Sequence, residues 1–385
     1  MSVTNSEQIH TRETLAAAKR IVIKIGSSLL TSQEAGIEHE KINSYCAQIS
    51  TLVGQGKEVV LVSSGAVAEG CKRLGWQQRP TLIHQLQAAA AVGQMGLVQA
   101  YEEALSRFSC GTAIVMLTHD DLADRQRYLN ARGTLNTLVS MGVVPVINEN
   151  DTVATDEIRF GDNDTLAALV ANLLEADLLI ILTDVEGLLD ADPRVNANAQ
   201  RIVAAVATDA RLDSMPGEGA GVLGRGGMVT KVRAGRLAAR SGADTIIASG
   251  QEPEVLTRVI DGEDMGTLLT AQISPLNARK RWIAGHLRAK GTLSLDAGAV
   301  SALRDRGVSL LAAGVTRVEG EFLRGDVVRC VSAQGSLIAQ GLSNYSSTEL
   351  DKIKGLNSEV FGQVIDHPVE PEVLHRDNLV LLEDG

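Results

Sequence analysis

Aromatic side chains are scarce in this chain of 385 residues: four Phe, four Tyr and two Trp, or 3% of the total. Any sizeable core must therefore be built from Ala, Val, Leu and Ile. Cysteine is nearly as rare. Cys46, Cys71, Cys110 and Cys330 are widely separated and form no CxxC pair, which excludes a disulfide framework and a zinc site of ordinary spacing. The seven His residues are scattered too, with no HExxH and no His beside a Cys, so neither a metal-ligand set nor a Cys-His nucleophile is predicted. No apolar run approaches the roughly 18 residues needed to cross a bilayer. The opening residues contain no signal-like apolar stretch, and a cytoplasmic protein is expected. Positive charge is in deficit: 36 Lys and Arg against 47 Asp and Glu leave a net charge of −11, which argues against wholesale binding of nucleic acid or an anionic membrane.

The remainder describes an ordinary globular protein, 44% hydrophobic and 22% charged, long enough for two or three domains. Its most unusual stretch runs from Pro145 to Glu175. There Asn148, Glu149, Asn150 and Asp151, then Asp156 and Glu157, then Asp162, Asn163 and Asp164 stand between a buried strand and an amphipathic helix. Adjacent carboxylates repel and raise one another's pKa values, so a packed domain has little reason to collect them except to hold something. The cluster starts at the carboxyl end of the apolar run Val143 to Ile147, where open α/β sheets place their ligands, and ends in a turn-and-cap pattern, Gly161 to Thr165.

Other strand ends carry chemistry as well. Arg20 to Leu30 reads as a buried strand breaking into Gly26, Ser27 and Ser28. Lys24 inside it is costly unless its ammonium emerges at the strand end and meets an anion, and the small residues beyond let backbone N–H groups approach a phosphate. The lysine precedes the glycine, so this is not a Walker A loop. A helix from His39 to Gly54 leads to Glu58–Gly70, where a second apolar strand runs into Ser63, Ser64, Gly65 and Ala66; the turns from the two strands are expected to face each other at one sheet edge. Residues 81–108 read as a helix interrupted at Gly93 and Gly96, and Ala113 to Leu117 as another strand, followed by the charged helix start at Asp120 to Arg127. Beyond the acidic stretch, strand Asp177 to Leu182 ends in Thr183 and Asp184, which suit a ribose or base but also ordinary turns. Gly217 to Gly227 holds six glycines in eleven residues and leads into a helix from about Met228, with Thr230 and Lys231 on its first turn, a ready cradle for phosphate. This alternation predicts a mostly parallel sheet flanked by helices over residues 1–275, ordered from about residue 17. The basic segment Asn277 to Arg281 reads as a hinge, and residues 276–385, with 13 Lys and Arg against 14 Asp and Glu, as a small β-rich module.

Two lysines beside Gly-rich turns with an acidic cluster between them match the needs of phosphoryl transfer: cations around the migrating group, backbone donors on its oxygens and an anchor for the acceptor. With no nucleophile placed to form a phospho-enzyme, direct in-line transfer is expected, with Mg2+ bridging the ATP phosphates rather than held by protein ligands.

KIGSS at Lys24, SSGA at Ser63, PVINENDTVA at Pro145, GDNDTLAA at Gly161, LTDVEGL at Leu182, DPR at Asp192 and GRGGMVTK at Gly224, in this order, resemble the amino acid kinase family. The tail from RKRWIAGHL through YSSTEL to VLHRDNLVLL resembles a PUA domain. The resemblance is to members that phosphorylate the γ-carboxylate of L-glutamate with ATP, the first step of proline synthesis. It implies that Lys24 and Lys231 stabilise the transferring phosphoryl group and that Asp164 orients both. It implies glutamate contacts at Ser64, Asp151 and Asn163, with Gly65 and Asp162 nearby. It implies nucleotide contacts at Lys24, Gly26, Thr183, Asp184, Arg225, Gly226, Gly227, Met228, Val229, Thr230 and Lys231. Arg225 departs from the family pattern, which has a small residue there, commonly Thr. A homo-oligomer and inhibition by L-proline are implied in the same way. The alternatives are a sister kinase acting on acetylglutamate, aspartate, carbamate or UMP, and an RNA-binding protein organised around the tail.

Overall fold

A computed structural model of the chain describes residues 11–32, 36–153, 163–191, 196, 198–213, 227–272, 289–365 and 370–382. The chain divides into two compact units, Met1–Pro275 and Leu276–Gly385.

The first unit is organised on β1 (Arg20–Ile25). Its neighbours are β2 (Glu58–Val62) and β5 (Leu178–Thr183), both parallel to it. Beyond β2 lie β4 (Val143–Glu149) and the edge strand β3 (Gly111–Leu117); beyond β5 lie β7 (Asp244–Ser249), β8 (Thr267–Thr270) and the short β6 (Ala204–Val206). The order is β3-β4-β2-β1-β5-β7-β8-β6, with β7 and β8 the antiparallel pair and every other pair parallel. The central strands are buried on both faces because helices cover both, which is why they read as unbroken apolar runs. Their alternation still sorts side chains. Ile21, Ile23 and Ile25 pack with α1 (His39–Gly54), α3 (Ile83–Ser106) and α7 (Val255–Ile260). Val22, one residue out of phase, packs on the opposite face with α4 (Arg125–Ser140), α5 (Asn163–Leu174) and α6 (Met228–Ala239). Lys24 shares the phase of Val22 and so belongs to the α5 and α6 side.

One expectation is corrected here. Gly93 and Gly96 do not interrupt the long helix, which runs unbroken from Ile83 to Ser106. They serve contact with α2 (Ala66–Arg73): a Cβ on Gly93 would lie 1.8 Å from the Ala66 carbonyl oxygen, one on Gly96 2.2 Å from Arg73 Nη2, and one on Gly70 of α2 1.7 Å from the Ala89 carbonyl oxygen. Small residues let the two backbones touch, and the helix-propensity cost of glycine, about 1 kcal/mol each, is offset by that packing.

The second unit carries a five-stranded sheet. Its strands are β9 (Gly291–Leu295), β10 (Val315–Gly320), β11 (Val327–Val331), β12 (Leu337–Leu342) and β13 (Leu379–Leu381), in the order β10-β9-β11-β12-β13. The β9 and β11 pair is parallel and the rest are antiparallel. Helices α8 (Ala297–Arg306) and α9 (Ser347–Ile353) accompany it, and Tyr345 and Phe361 meet edge to face at 6.0 Å in a core otherwise largely aliphatic. The expected hinge at Asn277 to Arg281 and the segment RWIAGHL lie outside the described residues.

Candidate active site

The site forms at the carboxyl ends of β1, β2, β4 and β5, where the first turns of α5 and α6 arrive. Lys24, one residue from the end of β1, is 7% exposed and its Nζ stands 2.7 Å from Asp164 Oδ1. Asp164, in the first turn of α5, is 1% exposed. Its other oxygen, Oδ2, accepts from Lys231 Nζ at 3.1 Å and lies 2.8 Å from Thr230 Oγ1, both in the first turns of α6. One carboxylate therefore holds two ammonium groups, one on each oxygen. Burial pushes the Asp164 carboxyl up, but the charges of Lys24 and Lys231, with hydrogen bonds from Lys24 and Thr230, outweigh it and hold the group well below the usual carboxylate range. The positive end of the α5 dipole acts in the same direction.

A second layer is built from amides and hydroxyls. β2 ends at Val62, and Gly65 takes a left-handed φ of 107° that turns the chain into α2. That turn exposes the Ser63 carbonyl and the Ser64 hydroxyl to α5. Asn163 Nδ2 lies 2.6 Å from Ser63 O, 3.0 Å from Ser64 Oγ and 3.0 Å from Asn148 Oδ1. Asn148 and Glu149 are the last residues of β4 and both are buried. Glu149 Oε1 lies 3.3 Å from His119 Nδ1, at the end of the edge strand. Asp151 sits half-exposed in the turn just beyond β4.

Among the residues expected to meet a nucleotide, Gly26 donates its N–H to Leu182 O at 3.3 Å. Thr183, the last residue of β5, is buried and its hydroxyl donates to Asp184 Oδ1 at 3.1 Å, while Asp184 itself is exposed. Gly227 caps α6 without a side chain, and Val229 is exposed on its first turn, so the helix presents backbone N–H groups that have no partner within the helix. Asp162, Arg225 and Gly226 lie outside the described residues, as do Asp156 and Glu157.

The acidic stretch thus divides. Asp164 faces lysines; Asn148 and Asn163 face each other; Asp151 stands at the rim. Two residues that sequence reading passed over also reach the site from α3: Gln94 Oε1 accepts from Asn148 Nδ2 at 2.7 Å, and Tyr101 OH lies 3.0 Å from Ser63 Oγ. Burial pushes the Tyr101 phenol far up, so it stays protonated and can donate. The available signal was their spacing. Seven residues apart on an Ala- and Leu-rich helix, they share one face.

The geometry and sequence together define a class. The amino acid kinase family model matches residues 19–249 and the PUA domain model residues 291–362, and the chain belongs to the amino acid kinase family. The nearer likenesses are more particular. The chain is 58% identical over 378 residues to a protein named glutamate 5-kinase from Chromohalobacter salexigens, covering 98% of this chain and 100% of that one. It is also 58% identical over 372 residues to glutamate 5-kinase of Thioalkalivibrio sulfidiphilus, covering 97% and 99%, and 57% identical over 371 residues to that of Pseudomonas syringae pv. tomato, covering 96% and 100%. Among solved structures, UMP kinase from Ureaplasma parvum aligns with 66% of this chain and 99% of its own at 19% identity and a TM-score of 0.46.

Proposed function

We propose that this chain transfers the γ-phosphoryl group of ATP to the γ-carboxylate of L-glutamate, giving L-glutamyl 5-phosphate and ADP, the first step of proline biosynthesis. The observation that carries the reading is the pair of buried ammonium groups on one buried carboxylate at the carboxyl edge of the sheet, in a chain whose relatives over nearly its full length are named glutamate 5-kinases.

The chemistry follows from the charges. A γ-carboxylate oxygen of glutamate attacks the γ-phosphorus while the bond to the β,γ-bridging oxygen breaks, in line, and negative charge shifts towards the leaving ADP. Lys24 and Lys231 carry two positive charges against the single charge of Asp164, so the centre keeps a net positive charge for the transferring group. Asp164 fixes both ammonium groups before the substrates arrive, so reorganisation during the step is small. Mg2+ is read as a partner of the ATP phosphates, whose charge it partly neutralises.

Glutamate is assigned to the layer of Ser64, Gly65, Asp151 and Asn163, with Asp162 beside it. Carboxylate and amide oxygens there suit its ammonium group. ATP is assigned to Gly26, Thr183, Asp184 and the run from Arg225 through Gly226, Gly227, Met228, Val229 and Thr230 to Lys231, with Lys24 opposite. Asp151→Ala is expected to raise the KM for glutamate roughly tenfold or more, as loss of a charged contact does, with little change in kcat. We further propose a homo-oligomeric cytoplasmic enzyme inhibited by L-proline at or beside the glutamate layer, with no nucleic-acid partner. The described helices include none long and apolar enough to cross a membrane.

The test is ATP consumption by the purified chain with Mg2+ and L-glutamate, with hydroxylamine present to trap the acyl phosphate. Hydroxamate is expected with glutamate and not with N-acetylglutamate, aspartate, carbamate or UMP. Turnover with another acceptor and none with glutamate would overturn the substrate assignment while leaving the family intact.

A further inference from the structure

Amide side chains present a donor on one side and an acceptor on the other, and neighbouring groups decide which way each is turned. Three of them meet here. Glu149 N–H is a donor under all conditions, and its bond to the Asn148 side chain at 2.9 Å makes the contacting atom the amide oxygen. Asn148 Nδ2 must then point the other way, 2.7 Å from Gln94, so the Gln94 atom it meets is the acceptor Oε1. Gln94 Nε2 is left buried with no hydrogen-bond partner among the described residues. The opposite rotamer would set N–H against N–H at Asn148, so this buried donor goes unpaired in order that Asn148 be held. Buried unpaired donors are uncommon and call for a reason.

The reason lies one residue further on. Asn148 Oδ1 also accepts from Asn163 Nδ2 at 3.0 Å, while the Ser63 carbonyl takes the same nitrogen at 2.6 Å and the Ser64 hydroxyl stands 3.0 Å from it. One hydrogen bond fixes which atom of the Asn163 amide is the nitrogen. The second fixes the plane of the amide, and with it the place of Oδ1. An oxygen fixed in this layer is an acceptor, which suits an ammonium group and not a carboxylate.

We propose that Gln94 is a positioning residue for substrate recognition: through Asn148 it sets the plane of the Asn163 amide, so that Asn163 Oδ1 is aimed at the α-ammonium of L-glutamate. The proposal rests on the assignment of Asn163 to the glutamate layer. Gln94 itself does not touch the substrate. Its position on α3 is secured by Gly93, whose bare Cα lets that helix lie against Ala66 at the start of α2.

The test uses the full chain. Gln94→Met keeps length and removes both polar atoms; Gln94→Glu keeps an oxygen for Asn148 Nδ2 and removes the unpaired donor. Gln94→Met is expected to raise the KM for L-glutamate about fivefold to tenfold, the effect of one misdirected hydrogen bond. The KM for ATP and kcat should not move. Gln94→Glu is expected to restore most of the lost affinity. Inhibition by glutarate, which lacks the ammonium group, should be the same in all three proteins, and in an Asn163→Ala background Gln94→Met should add nothing further. Thermal midpoints accompany each variant, so that a loss of folding is seen separately. Equal weakening of glutarate and glutamate, or effects of Gln94→Met and Asn163→Ala that simply add, would make Gln94 a packing residue and overturn the proposal. If Asn163→Ala leaves the KM for glutamate unchanged while glutamate is still phosphorylated, the layer assignment fails and takes this inference with it, whereas an absence of hydroxamate with glutamate would be the failure of the proposed reaction itself.

Discussion

The two ends of β1 solve the same problem in opposite ways. At the amino end, Arg20 donates to Glu58 Oε2 at 2.7 Å and to the Leu174 carbonyl, and Asp177 Oδ2 accepts the backbone N–H groups of Lys19 and Arg20 at 2.8 and 2.9 Å. There Arg20 and Glu58 pair one to one, Asp177 is met by backbone N–H groups, and each of these partners is part of the fold. Four residues further along, Lys24 and Lys231 share the single carboxylate of Asp164. Both ends hold ion pairs beside the same strand, yet only the carboxyl end sets two cations on one buried carboxylate. An unbalanced buried cluster is costly unless a further partner comes from outside, which supports the proposal that an anion binds at the carboxyl end.

The largest effect should come from removing the surplus. Lys24→Ala and Lys231→Ala are each expected to lower kcat about a thousandfold, as loss of a preorganised charge at a transferring group does. Neither should abolish folding, because each leaves one cation on Asp164. Single-turnover phosphate transfer from ATP checks this. Near-normal turnover in either variant would mean that the two ends of the strand differ less than their charge counts suggest.

How far this contrast was legible beforehand depends on chain direction. Lys24, Asp164 and Lys231 each stand where a strand ends or a helix begins, with a glycine within four residues, and such punctuation is local in sequence. A parallel sheet brings all such ends to one edge, so three separate local signals converge without any tertiary detail. The mostly parallel sheet itself was legible for the same reason. Contacts perpendicular to the strands were not. Gly93 resembles a helix breaker until α2 is laid against it, and Gln94 is one more polar residue on a long helix until Asn148 is seen to need an acceptor. In the second unit a β-rich module was expected, but β10 gives little local signal: Val315 is buried and Val318 partly so, while Thr316, Arg317, Glu319 and Gly320 are exposed, the weak alternation of an edge strand.

An intermediate effect is expected at Asp164, read in stability and its pH dependence. Asp164→Asn leaves two buried ammonium groups without a counter-charge and should cost about 3–5 kcal/mol at neutral pH, the usual penalty for breaking a buried ion pair from one side. Because the folded-state pKa of Asp164 is depressed, its contribution is present above the unfolded value of about 4 and is lost as pH falls through the folded one. The gap between wild type and Asp164→Asn should therefore be widest near pH 7 and shrink below about pH 4. Denaturant midpoints measured at both pH values decide it: a gap that stays constant would mean that the lysines do not depend on the charge of Asp164.

The smallest effect belongs to the balanced end. Arg20→Met keeps the aliphatic stem but removes the donors to Glu58 and Leu174. Arg20 and Glu58 are each about a quarter exposed, so water can take up much of what is lost, and the expected destabilisation is only about 1 kcal/mol. The shift should weaken with added salt, since a partly exposed pair is partly screened already. The kinetic constants for glutamate and ATP should be unchanged, because Arg20 acts on the amino edge of the sheet and β1 still pairs with β2 and β5 on both sides. A loss of turnover in Arg20→Met with stability intact would show that the two ends of β1 communicate, and that balance at one end is part of how imbalance is held at the other.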